Sequence, residues 1–211
     1  VWPLPQTVSP LAASALVLAQ TGYNCATRAP LRAGNCAVIV GDGLVGHFVA
    51  QMMLLRGAGV IMVGRHDERL GLFAETERSR RVNMKVQEPV EALRQLAPSG
   101  IHVLVDAVGT LSAIQPFLPL MRQGAHIISA GFHGLDSLLN IQKLRLRELT
   151  LHSPSGWNQH RMDQTLALLA NGRINPEALI THQFAAEKIV DAWRLILERK
   201  EGVLGVVLKW T

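Results

Sequence analysis

Residues 36–51 read CAVIVGDGLVGHFVAQ, and they constrain the chain more than any other stretch. A short run rich in β-branched residues meets three glycines, Gly41, Gly43 and Gly46, spaced G-x-G-x-x-G, and helical periodicity follows. In a strand–turn–helix unit each glycine has its own task. The first makes the tight turn, the second lets the backbone approach a pyrophosphate, and the third lets helix and strand pack closely. The unpaired N–H groups at the helix start, together with the helix dipole, favour a phosphate at that point. The stretch therefore predicts a dinucleotide-binding turn, with Gly41, Gly43, Leu44, Val45 and Gly46 at the cofactor. A turn of purely structural use and the adenosine site of a methyltransferase are the competing readings. The second is disfavoured because the acid expected after the next strand is missing.

The rest of the chain supports an α/β fold. From residue 36 onward strand and helix signals alternate: strands over 36–40, 59–64, 81–86, 102–109 and 125–131, and helices over 44–57, 67–75, 89–97 and, broken, 111–124. Asp67 is a candidate N-cap and Pro89 sits at a first helical position. Such alternation implies a doubly wound parallel sheet with helices on both faces. Before it, 9–29 reads as one long apolar helix. After it come a strand at 148–153, a helix over 160–172 ended by Gly172, a strand at 178–184, a helix over 185–200 and a last strand over 203–210. This divides the chain into a connecting segment (1–32), a Rossmann-like dinucleotide-binding domain (33–153) and a C-terminal segment (154–211).

Composition narrows the partners. With 211 residues and 48% hydrophobic content the chain can bury a large core. No apolar run reaches the roughly 20 residues that span a bilayer, and the longest, 11–20, lacks the basic start of a signal peptide. Neither a membrane nor a secreted context is expected; the two cysteines, Cys25 and Cys36, fit a reducing, cytoplasmic compartment as buried thiols. The formal charge is +5, yet aromatic residues are only 5% and none interleave with the basic ones, which argues against nucleic acid. Arg65, Arg69, Arg78, Arg80, Arg81 and Lys85 lie loosely together, either as a solvated surface or as a seat for a small phosphorylated ligand.

The end of the second strand bears on cofactor choice. An NAD site places Asp or Glu there, about 20 residues past the motif, on the ribose 2′-hydroxyl. Here that position is Gly64, and Arg65 follows. A missing carboxylate removes repulsion against a 2′-phosphate, and an arginine supplies a charge-assisted partner. NADP is therefore expected over NAD, with Arg69 as a second candidate contact. Asp67 is the acidic counter-candidate.

With these residues in place the chain resembles the medium-chain dehydrogenase/reductase superfamily, the zinc-type alcohol dehydrogenase-like proteins, over nearly its whole length. The segment 4–34 is similar to the stretch that leads into that family's cofactor domain, and VIVGDGLVGHFVAQ to its nucleotide turn. DAVG (106–109) and ISAGF (128–132) resemble the strand ends lining the nicotinamide side. GRINPEALITHQF, DAWRLI and VLGVVLKW resemble its C-terminal return. The tail is most similar to sorbitol-, threonine- and bacteriochlorophyllide-dehydrogenase-like members. The resemblance implies a hydride-transferring oxidoreductase acting on an alcohol, a carbonyl or an activated alkene. It places Thr21, Ala107, Val108, Gly109, Gly131 and Phe132 beside the cofactor and implies a dimer joined through sheet edges, with 148–153 at or near that edge. It also implies that this chain is the cofactor-binding half, lacking the GroES-like catalytic lobe that carries most zinc ligands. Where zinc enzymes of the family place Cys or Glu, Val17 and Leu18 stand, so zinc is not expected in this chain. A non-catalytic nucleotide-sensing or subunit-interaction module of the same fold is the alternative.

Single residues divide between structure and chemistry. Tyr23 is read as structural, Asp106 as a turn cap at the crevice, His182 as a hydrogen-bonded structural histidine, and His47 as facing out or toward phosphate. The loop 155–161, with Trp157, flanks the mouth or caps the next helix. Apolar residues of 10–26 and 185–210 are expected to form an exposed patch beside the crevice.

Overall fold

In β1 (Cys36–Val40), β2 (Gly59–Gly64) and β4 (Ile101–Asp106), apolar side chains run without the polar alternation of a one-sided sheet. A strand of this kind is stable only when both faces are covered. The computed structural model, which describes residues 2–134, 140–198 and 202–210, shows how they are covered. Strands β1, β2, β3 (Ser79–Asn83), β4, β5 (Met121–Ser129) and β6 (Thr150–His152) form one parallel sheet in the order β3-β2-β1-β4-β5-β6. Ala37 and Ile39 of β1 point to one core with Val60, Met62, Val103 and Val105. Val38 and Val40 point to the other with Ile61, Val63 and Leu104. This period of two on a sheet buried on both sides is the Rossmann-like, doubly wound α/β arrangement that the alternation predicts.

The first core is roofed by α2 (Leu16–Ala26), which follows the short α1 (Pro10–Ser14), by α3 (Leu44–Leu55) and by α8 (Gln159–Ala170). The second lies under α5 (Pro89–Leu96), α6 (Leu111–Ile114) and the 3-10 turn 115–120 that follows it. Between these stand the short helices α4 (Asp67–Gly71) and α7 (Ile141–Arg145). Past α8 the chain leaves the sheet. Strands β7 (Ile180–Ala185) and β8 (Gly205–Lys209) pair in parallel as a separate two-stranded sheet, with α9 (Ile189–Leu197) as their crossover.

Several expectations need correction. The helix read over 9–29 is two helices that break at Ala15. The helix read over 67–75 stops at Gly71, and its N-cap is His66; Asp67 is the first helical residue, and its carboxylate accepts from Asn83 Nδ2 at 2.5 Å. Two prolines turn the segment after Ile114 into a 3-10 turn, so β5 starts at Met121, four residues early. The helix read over 185–200 begins as a 3-10 turn at 186–188; residues 199 and 200 lie outside the described residues.

One glycine fixes the position of α3. A Cβ on Gly46 would collide with the Gly41 carbonyl oxygen and lie 3.2 Å from its carbon. Only a hydrogen lets this helix start so close to the end of β1. The helix at 10–26 is mostly covered by the chain itself: Ala15, Leu16 and Ala19 are buried, Leu11 is half-buried, and Val17 and Leu18 are exposed. On α9, by contrast, Ile189, Val190, Trp193, Ile196 and Leu197 are all exposed. Strand β6 stands at the edge of the main sheet.

Candidate functional site

A crevice of about 580 Å³ opens at the carboxyl ends of β1, β2 and β4, the side on which open parallel sheets bind ligands. Its floor is Val40, Gly41 and Gly43; its walls include Gly64, Arg65, His66, Arg69, Ala107 and Val108. A second hollow of about 690 Å³ continues over Leu44 and Val45 toward Ile196 of α9 and Val203, Leu204 and Val206. Gly43 is the N-cap of α3 in extended backbone, and a Cβ there would point into open space. That open cradle, with no side chain between the helix start and the crevice, fits a pyrophosphate.

The remaining predicted residues fall at the other end. Thr21 of α2, Gly131 and Phe132 line a smaller hollow of about 310 Å³ with Val17, Ala130 and Trp157. Gly109 and Gly131 touch backbone to backbone. Asp106, fully buried at the end of β4, is the turn cap its position suggests: Oδ1 accepts from the N–H of Val108 at 2.9 Å and of Gly109 at 3.0 Å. Its Oδ2 has no hydrogen-bond partner and lies 3.4 Å from His133 Nε2, which is itself 2.7 Å from Ser129 Oγ. His182 pairs through Nδ1 with Thr181 Oγ1 at 2.9 Å, a structural role. Asn24 is tied to Gly156 and Arg28. The surface at this end is open: Phe132 is 99% exposed.

The basic residues do not converge. Only Arg65 and Arg69 reach the crevice. Arg81 pairs with Glu75 at 3.0 Å, and Arg78 and Arg80 bond to backbone carbonyls away from it. The Arg65 side chain is exposed and makes no hydrogen bond or ion pair among the described residues.

Two groups differ from the sequence reading, one missed and one misdirected. Asp42, the residue inside the first G-x-G, turns its carboxylate toward the end of β2. Oδ2 accepts from the N–H groups of Arg65 and His66, each at 2.8 Å, and His66 Nδ1 lies 3.0 Å from Oδ1. Burial alone would raise its pKa, but the hydrogen bonds from His66 and the Arg65 amide outweigh this and hold it below the usual carboxylate value. The signal in the sequence was an acid where the motif asks for nothing. His47 is the second. It does not face out; it is 1% exposed, set edge-on to Phe73 at 6.4 Å, with Nε2 buried and without a hydrogen-bond partner among the described residues. Burial pushes its pKa down to about 4, so it is neutral at pH 7.

For a zinc ion the described residues do not fit. Among the described residues no three His, Cys, Asp or Glu side chains converge. Cys25 and Cys36 are not paired with each other, and burial pushes their thiols up to about 12 and about 11, away from the thiolate a metal needs.

The family model for zinc-binding dehydrogenases matches residues 45–171, more than half of the chain. The chain belongs to the zinc-binding dehydrogenase family. It is its cofactor-binding half, within the medium-chain dehydrogenase/reductase superfamily. Among its curated relatives, an alcohol dehydrogenase of Cupriavidus necator is 24% identical over 196 residues, covering 90% of this chain and 53% of the relative. The sorbitol dehydrogenase of Bacillus subtilis is 23% identical, covering 97% and 59%. The chain thus spans about half the length of these curated relatives. Among solved structures, an alcohol dehydrogenase of Escherichia coli CFT073 complexed with NADH superposes with a TM-score of 0.87 at 23% identity, covering 99% of this chain and 62% of that one. A protein from Sinorhizobium meliloti 1021 bound to NADP gives 0.83 at 19%, with the same coverage.

His47 makes stability depend on pH. Its native pKa lies below the unfolded value of about 6.5, so between pH 6.5 and 4 the unfolded chain binds a proton that the native chain refuses, and stability falls as pH falls. His47→Leu should remove this term. Urea unfolding at pH 7 and pH 4 should show the natural chain losing more stability than the variant, by on the order of 3 kcal/mol.

Proposed function

We propose that the chain is the cofactor-binding portion of an NADP-dependent oxidoreductase of the medium-chain type. The observation that carries this is the corner where the glycine turn meets the end of β2: Gly64 offers no acidic side chain, and the Arg65 guanidinium stands exposed at the rim. In this reading Gly41, Gly43, Leu44, Val45 and Gly46 hold the pyrophosphate. Arg65, with Arg69 beside it, holds the 2′-phosphate. Thr21, Ala107, Val108, Gly109, Gly131 and Phe132 border the nicotinamide.

When bound, the nicotinamide supplies the hydride for exchange with an alcohol, a carbonyl or an activated alkene. The chain's own work is to bind and orient it. The start of α3 receives the phosphates, and the backbone contact of Gly109 with Gly131 fixes the far strand ends. Asp106 Oδ1 stiffens the Val108–Gly109 turn that would border the nicotinamide. The proposal extends to a cytoplasmic protein, to residues 33–153 as the dinucleotide-binding unit, and to flanking segments 1–32 and 154–211 that pack beside a substrate-holding lobe.

The natural chain should bind NADPH more tightly than NADH. Arg65→Ala should weaken NADPH by about 1–3 kcal/mol, as for a hydrogen bond to a charged group, and leave NADH nearly unchanged. Fluorescence titration of both cofactors decides it; tighter NADH binding to the natural chain would refute the NADP assignment.

Turnover by this chain alone should be negligible, because Phe132 and Val108 leave the nicotinamide side open and, among the described residues, nothing there excludes water or fixes a substrate. A coupled alcohol or aldehyde assay at an intact dehydrogenase's rate would overturn this.

We also infer a dimer through β6, whose outer edge carries unpaired backbone donors and acceptors in the described chain. Sedimentation equilibrium should return twice the chain mass, and Leu151→Pro should return the monomer. A monomer across all concentrations sinks the dimer.

A further inference from the structure

The end of β2 has no acidic side chain, yet the space such a side chain would enter is filled by one. A Cβ built on Gly64 would lie 2.7 Å from the Cβ and 2.8 Å from the Cγ of Asp42, which arrives from the glycine turn and not from β2. Any residue larger than glycine at 64 would have to displace it. The carboxylate has taken two donors, the N–H groups of Arg65 and His66, that an anion bound at this strand end would otherwise find. A carboxylate offers about four lone-pair positions. Two amides and the His66 ring account for three, and one is left on the side of Oδ1. Asp42 is 6% exposed, and that exposure belongs to the crevice it lines with Arg65. A buried negative group and an exposed positive one therefore share one corner.

We propose that Asp42 limits the preference for NADP from within the glycine turn, accepting the adenosine ribose 2′-hydroxyl and opposing a 2′-phosphate. The inference rests on the nicotinamide-dinucleotide reading above. Two effects act together. A phosphate beside a carboxylate meets like charge in a partly desolvated site. It also finds the backbone amides of the β2 end already occupied. A hydroxyl meets neither obstacle and can donate to the free lone pair. Arg65 pulls the other way, so selectivity here is a difference between two opposed contacts, one attractive to the phosphate and one repulsive. His66 is the positioning partner that keeps the carboxylate turned to β2.

Asparagine at position 42 separates charge from architecture. Its amide oxygen can accept from the N–H groups of Arg65 and His66, and its NH₂ can donate to His66 Nδ1 in the other tautomer, so the turn keeps its hydrogen bonds and loses only the negative charge. NADH and NADPH titrations of the natural chain, Asp42→Asn and Arg65→Ala provide the test. In Asp42→Asn the ratio of the NADH to the NADPH dissociation constant should rise about tenfold, through tighter NADPH and weaker NADH, as for one charged hydrogen bond exchanged for relief of repulsion. In Arg65→Ala the ratio should fall. Asp42→Ser, small, neutral and still an acceptor, is the second variant and should move the ratio in the same direction as asparagine. A ratio unchanged in whichever position-42 variant keeps the natural circular-dichroism spectrum overturns the proposal. A rise in Asp42→Asn with no change in Arg65→Ala upholds Asp42 and removes the arginine clamp. Binding of neither cofactor to the natural chain overturns both the proposal and the reading beneath it.

Discussion

The backbone of α3 begins almost in contact with the end of β1, and the hydrogen of Gly46 against the Gly41 carbonyl is what permits it. From that approach the other features follow. The helix start is brought to the mouth of the sheet, so its unpaired N–H groups face the crevice. The crevice falls at β1 and β4, between the strands where the order reverses. Because α3 is held down, its own next residue, His47, is pressed into the interior against Phe73 and the Arg69 backbone. One missing side chain thus brings a helix start to the crevice and an imidazole into the interior.

The central strands were legible because β1, β2 and β4 are continuous apolar runs, and continuous apolar runs bounded by glycine leave few alternatives. The glycine turn was legible for the same reason. Boundaries were less so where local chemistry competes. The break at Ala15 has no glycine or proline to announce it. Met121 starts β5 because Pro116 and Pro119 consume the helix that periodicity would extend. At the site, what periodicity cannot show is direction. His47 occupies a helix position that could point outward, and only its contact with Phe73, beyond the end of α4, shows that it turns in. Asp42 sits in a motif slot usually treated as indifferent, and its partner is the backbone of residues 65 and 66, which carries no sequence signal. The loose basic cluster dissolved because Arg78 precedes β3 and Arg80 sits at that strand's opening end, while the crevice lies at the closing end.

Charge at the crevice is arranged in depth. The outer layer is Arg65 and Arg69; beneath it lies Asp42, held by two amides and a ring. Neutral His47 lies deeper again. A net charge of +5 says nothing of this, because selectivity depends on which sign a ligand meets first and which it meets when seated.

The sheet's first roof is made from the two ends of the chain. Helix α2 packs on α8, Trp2 Nε1 donates to Asp163 at 2.9 Å, the Thr7 hydroxyl donates to the Ala170 carbonyl, Ser9 bonds Glu177, and Gln51 exchanges hydrogen bonds with Asn175. These contacts join residues more than a hundred positions apart. During synthesis α2 and α3 therefore leave the ribosome long before α8 exists to cover them. Closing loops of that length makes folding slow, and in the interval the apolar underside of α2 is a surface for chaperones to guard.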